Sequence, residues 1–150
     1  MPDFSGSILD HVNLPVADLS RSVAFYEAAL APLGIVTLIR VPADPARPQK
    51  AMHAFGIAPK PFFWLVESGV EGPRYDADTH VAFTCDDHET VDAFHAAAVA
   101  AGGTSLRGPG VWPEYHPGYY GAFVADPSGV NVEAVCHAPA AGPADGPEPA

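Results

Sequence analysis

The feature that most limits what this chain can become is a repeat within it. Residues 11–34, HVNLPVADLSRSVAFYEAALAPLG, lie over residues 80–103, HVAFTCDDHETVDAFHAAAVAAGG, without a gap, and nine of the twenty-four positions coincide. The shared alanines are cheap coincidences, whereas His11 with His80, Asp18 with Asp87, Phe25 with Phe94 and Gly34 with Gly103 are not. Self-similarity at one fixed offset signals a supersecondary unit used twice, each copy supplying a surface the other can cover.

Each copy reads as a strand, an Asp that can cap a helix, an amphipathic helix and a Gly stop. Leu19, Val23, Tyr26 and Leu30 form one stripe on the first helix, and Val91, Phe94, Ala98 and Ala101 form one on the second. Asp86 with Glu89 also fits a capping box. Three strand candidates follow each helix: GIVTLIRV, QKAMHAFG and KPFFWLVES, then GTSLRG, GYYGAFVAD and GVNVEAVC. The loops between them are rich in turn formers, and DPSG at Asp126–Gly129 predicts a tight hairpin turn. The predicted fold is therefore α+β, two βαβββ modules over about residues 7–67 and 77–136, within one domain spanning 1–137. The final stretch, HAPAAGPADGPEPA, has too little apolar surface to offset the entropy of ordering, which predicts a disordered tail at 138–150.

Composition narrows the partners. At 150 residues and 48% hydrophobic, the chain can bury one sizeable core. A net charge of -11 with only seven Lys and Arg argues against nucleic acid, whose phosphates require clustered cations. No apolar stretch approaches the ~18 residues of a membrane span. The start MPDFSGSILD lacks the basic and apolar segments of a signal peptide, so no membrane association and a cytoplasmic location are expected. Cys85 and Cys136, in apolar strands without CxxC spacing, are expected to be buried, reduced thiols.

Alternation along the strands separates their faces. Val12 and Leu14, Val81, Phe83 and Cys85, and Val130, Val132, Ala134 and Cys136 share the apolar parity expected beneath the helices. The opposite parity holds His11 and Asn13, His80 and Thr84, and Asn131 and Glu133. Two neutral imidazoles and a carboxylate suit a divalent transition metal with positions left open for substrate, so His11, His80 and Glu133 are candidate metal ligands. The same offset maps Glu133 onto Trp64, so the first module offers no matching carboxylate.

As an ordered set over roughly residues 8–137, HVNLPVADLSRSVAFYEAAL, HVAF and YYGAFVADPSGVNVEAV resemble the vicinal oxygen chelate superfamily, the glyoxalase, bleomycin-resistance and dioxygenase group. The resemblance implies a cup-shaped mixed sheet with helices on its outer face. It also implies a homodimer and a divalent metal (Fe, Mn, Zn or Ni, not distinguished by the sequence) that binds vicinal oxygens of a small-molecule substrate. His11, His80 and Glu133 match its ligand positions. A carboxylate or amide common in glyoxalase I is replaced near Trp64, which weakens two-base isomerisation. The two-His, one-carboxylate set resembles extradiol dioxygenases, so the activity expected is a metal-dependent lyase or isomerase, or an extradiol-type dioxygenase. His116 is a candidate acid or base and Tyr119 or Tyr120 a candidate oxyanion donor, from the segment WPEYHPGYYGAF. Phe63, Trp64 and Tyr115, with Phe62 beside them, are candidate walls of the substrate pocket. His53 falls on the third strand within reach of such a cavity, while His88, His95 and His137 read as surface or structural. The competing reading is a metal-free, ligand-sequestering protein of the bleomycin-resistance kind, which the acidic charge suits.

Overall fold

A computed structural model of the chain describes residues 8–68 and 78–138. The predicted tail, beyond its first residue, and the predicted module starts at 7 and 77 lie outside the described residues. The first module runs β1 (Val12–Val16), α1 (Leu19–Leu30), a 3₁₀ turn (Ala31–Leu33), β2 (Val36–Val41), β3 (Met52–Ile57) and β4 (Lys60–Glu67). The second runs β5 (His80–Cys85), α2 (His88–Ala100), β6 (Thr104–Val111), β7 (Tyr120–Ala125) and β8 (Asn131–Cys136). They form two four-stranded sheets, β1-β4-β3-β2 and β5-β8-β7-β6, rather than a closed barrel. In each the first strand lies parallel to the last, and the remaining pairs are antiparallel. This is the α+β pair of βαβββ modules that the repeat predicts.

The helix starts follow from the two aligned aspartates. Asp18 accepts from the Arg21 backbone N–H at 3.0 Å, and Asp87 from that of Thr90 at 2.7 Å. The capping box read at Asp86 and Glu89 does not form, because Asp87 takes the N-cap and leaves Glu89 at the second helical position, with Thr90 at the third. The helix ends differ in a similar way. Gly34 adopts φ 74°, but in the second module the left-handed residue is Gly102, at φ 100°. Gly103, the residue aligned with Gly34, serves packing instead: a Cβ there would lie 2.5 Å from Val124 Cγ1 and 2.8 Å from Phe25 Cε2.

That contact crosses from one module to the other, and so does the core. Leu14, Phe25, Leu30 and Phe63 share one buried cluster with Phe83, Phe94, Val124 and Val132. Helices α1 and α2 pack on each other, and Phe63 meets Phe83 edge-on at 5.3 Å between ring centroids. The apolar parity of each sheet therefore faces a common interior. A polar bond sits in this interior: the Tyr26 hydroxyl donates to Asp126 Oδ2 at 2.6 Å. Asp126 closes the β7–β8 turn, its Oδ1 accepting from the backbone N–H groups of Ser128 at 2.8 Å and Val130 at 2.9 Å. Burial pushes its carboxyl above the ordinary range against the pull of these donors.

Both cysteines are free and buried, as expected, and they stand opposite one another in the β5–β8 ladder. Burial pushes the Cys85 thiol up to about 12. Among the described residues no helix is long and apolar enough to cross a membrane.

Replacing Tyr26 with Phe removes a hydroxyl that bonds Asp126 from the other module. The expected cost is about 2 kcal/mol, that of withdrawing a donor from a buried charged acceptor, read as a lower urea midpoint at unchanged m-value. A midpoint indistinguishable from the parent would remove this bond from the account of how the modules are joined.

Candidate functional site

The polar parity of the second sheet converges on one recess. In the parallel β5–β8 ladder His80 stands opposite Asn131, and Ala82 opposite Glu133, so Glu133 reaches back beside His80. His80 Nε2 and Glu133 Oε2 are 2.7 Å apart, with the His80 side chain 35% exposed and that of Glu133 only 2%. The second carboxylate oxygen, Oε1, accepts from the Tyr119 hydroxyl. Phe123 stacks beside His80 at 5.8 Å, and Asp78, Tyr115 and Asn131 complete the lining of a recess of about 420 Å³. The glycine of YYGAF belongs to this geometry: a Cβ at Gly121 would lie 2.9 Å from Glu133 Oε1 and 3.1 Å from Tyr119 Cε1.

The electrostatics follow from one buried carboxylate. Its hydrogen bond holds the His80 imidazole above its ordinary value, outweighing the desolvation that opposes it. Burial, then the bond to Glu133, pushes the Tyr119 hydroxyl far above the usual phenol range, which keeps it a donor. Asn131 Oδ1 is buried and has no hydrogen-bond partner. Its amide lies close enough to His80 to favour the imidazolium, yet outside hydrogen-bond geometry.

His11 occupies a different recess, of about 320 Å³, with Asp10, Asn13, Met52, Lys60, Pro61 and Trp64 of the first module. Its Nδ1–H donates to Asp10 Oδ2 at 2.6 Å, and the other oxygen of Asp10 bonds the Lys60 ammonium. Those bonds, that of Lys60 foremost, hold the Asp10 carboxyl below its usual range. In a neutral imidazole, a carboxylate on Nδ1 holds the proton there and leaves Nε2 as the acceptor. Between the β1 and β5 edges lies an apolar cavity of about 600 Å³, touched by both His11 and His80 and walled by Phe62, Phe63 and Phe83.

The structure thus brings His80, Glu133 and Tyr119 together with Tyr115, and sets His11 and Trp64 apart in the first module. Phe63 lines the inter-module cavity and packs in the core. Tyr120 does not reach the recess, because strand alternation turns it to the helix side, where it stacks on His88 at 3.8 Å and donates to Asp92. His116 is absent from the recess lining and pairs with His137 instead, Nε2 to Nδ1 at 2.7 Å. The Gly118 backbone N–H donates to His116 Nδ1, so Nε2 carries the proton given to His137. His53 points to Thr37, at 2.7 Å, on the buried side of its sheet. His95 bonds Ser105. Three participants are missing from the site residues predicted from the sequence. Asp10 is signalled only by standing next to His11, Phe123 by sharing the parity of Gly121, and Asn131 by sharing that of Glu133.

An imidazole nitrogen, a carboxylate oxygen and a buried, unpartnered amide oxygen in one recess are a mixed N/O donor set that suits a divalent transition metal. Among the described residues no three of His, Cys, Asp and Glu come together. One chain therefore assembles two of the three expected ligands.

Comparison with known proteins agrees with this architecture. A family model described as the Glyoxalase/Bleomycin resistance protein/Dioxygenase superfamily matches residues 8–134. The chain belongs to that superfamily. A glyoxalase/bleomycin resistance protein from Albidiferax ferrireducens T118 superposes with TM-score 0.68 at 28% identity, covering 87% of this chain and 98% of that one. A mutant glyoxalase I from Zea mays does so with TM-score 0.65 at 30% identity, covering 85% of this chain but 45% of the longer maize chain. A glyoxylase/bleomycin resistance protein/dioxygenase domain from Frankia sp. EAN1pec shares the fold, with TM-score 0.66 at 19% identity over 89% of this chain and 93% of that one. Curated proteins yielded no match.

The raised His80 value has a defined sign. An imidazole whose folded value exceeds its unfolded one of ~6.5 contributes stability that is complete below that pH and lost as pH rises through the folded value. Histidine-resolved NMR titration should place the His80 midpoint above that ordinary value and return it to or below it in Glu133→Gln. The stability gap between parent and variant should close as pH climbs through the same window. An unshifted His80 midpoint in the parent contradicts the pairing.

Proposed function

We propose that this protein is a metal-dependent, cytoplasmic enzyme acting on a small molecule with two adjacent oxygens, its centre in the second-module recess. The observation that carries this reading is the convergence of His80 Nε2 and Glu133 Oε2 at 2.7 Å in a recess open to solvent. A buried carboxylate braced on one oxygen by Tyr119 keeps the other aimed at a single point. A divalent metal there supplies Lewis acidity to substrate oxygens.

The remaining roles fall to the chain itself. Tyr119 fixes Glu133, and Gly121 leaves the space for both. Tyr115 and Phe123 offer apolar walls to a planar substrate. His11, oriented by Asp10, is the proposed third ligand, and its place in the other recess favours its delivery by a second copy in a homodimer. Two free, buried thiols fit a reducing compartment. The lyase, isomerase and dioxygenase chemistries share these elements, and the absence of a carboxylate at Trp64 favours the last.

Elemental mass spectrometry on protein purified without chelator or nickel affinity should find about one transition metal per chain, lost in His80→Ala and Glu133→Ala. Mixing equal amounts of His11→Ala and His80→Ala protein should restore about a quarter of the sites, since about half the dimers are then mixed and one of the two sites in each is intact. A parent protein that takes up no metal even after reconstitution would leave the metal-free, ligand-sequestering reading in its place.

A further inference from the structure

The recess contains a polar atom to which the proposed function gives no role. Asn131 opens β8 directly across from His80, two residues before Glu133 and on the same side of the strand. Its Oδ1 is buried without a hydrogen bond, although buried polar atoms in folded proteins are nearly always partnered. The recess that holds it also holds His80 and Glu133, whose facing atoms lie 2.7 Å apart. A lone amide oxygen at such a place calls for an electron-poor partner. Among the described residues no donor is placed to bond it, and the His80–Glu133 pair beside it marks where an electron-poor partner would sit. Amide oxygens join carboxylates and imidazoles as donors to divalent metals.

We propose that the Asn131 side-chain carbonyl is a direct donor to the cation held by His80 and Glu133, so that the second module supplies three donors of its own. This rests on the metal reading above and adds a residue to it. It also explains why the recess tolerates an amide where β8 is otherwise buried throughout. Glu133 takes part through Oε2 alone, because Tyr119 occupies Oε1.

The test is a Co(II) titration of the full chain, followed by visible absorption and calorimetry, in the parent, Asn131→Ala, Asn131→Asp and His80→Ala. Asn131→Ala should weaken Co(II) binding by roughly tenfold or more, a loss that even an outer partner of a metal ligand can cause, and should change the d–d bands. Asn131→Asp, which keeps an oxygen in place, should retain binding, and His80→Ala should abolish it. Without metal, Asn131→Ala should melt close to the parent, since Oδ1 has no hydrogen bond to lose. Equal affinity and spectrum in parent and Asn131→Ala would overturn the donor role while leaving the His80–Glu133 centre standing. A metal-free melting point well below the parent would make Asn131 structural and overturn it too. A parent that binds no Co(II) would overturn both this inference and the reading beneath it.

Discussion

Neither sheet can bury its apolar face alone, and the two modules meet that need by burying their faces together. Tyr26, Phe25, Phe63 and Leu30 come from one repeat, and Phe83, Phe94, Val124 and Val132 from the other. Asp126 receives a hydrogen bond from the first module through the Tyr26 hydroxyl. Once these faces are committed to a common interior, strand alternation leaves the polar faces elsewhere, and each module carries its own recess. The separation of His11 from His80 and Glu133 follows from the packing that holds the chain together.

Much of this is legible in the sequence because it rests on local periodicity. The aligned aspartates, the helix stripes and the strand parities each depend on residues a few positions apart, and they predict the βαβββ pair and the polar face of β8. What escapes depends on longer reach or on a shift of one residue. The glycine pair of the repeat misassigns the left-handed position, which Gly102 takes while Gly103 makes room for Phe25. Tyr119 and Tyr120 look interchangeable as a dipeptide, yet β7 begins between them and sends one to Glu133 and the other to His88. The His116–His137 pair joins a loop to the end of β8, a contact that no spacing in the sequence announces.

The charge pattern of the recess follows from the burial of Glu133. A carboxylate that is 2% exposed is stable only if its oxygens are bonded, and His80 and Tyr119 each take one. The bond to Glu133 raises the imidazole, and burial followed by the bond to Glu133 raises the phenol, so both groups hold their protons more tightly beside one buried carboxylate. Arg107, stacked 3.7 Å over Trp112 and bonded to Glu114, sits near the Tyr115 rim and places a cation beside an otherwise acidic entrance.

The most direct measurement is anomalous diffraction at the metal edge from crystals grown with Co(II). The account predicts one strong peak in the second-module recess, within coordination distance, roughly 2.0–2.2 Å, of His80 Nε2 and Glu133 Oε2. A recess without a peak, and with the His80–Glu133 hydrogen bond intact, would contradict it.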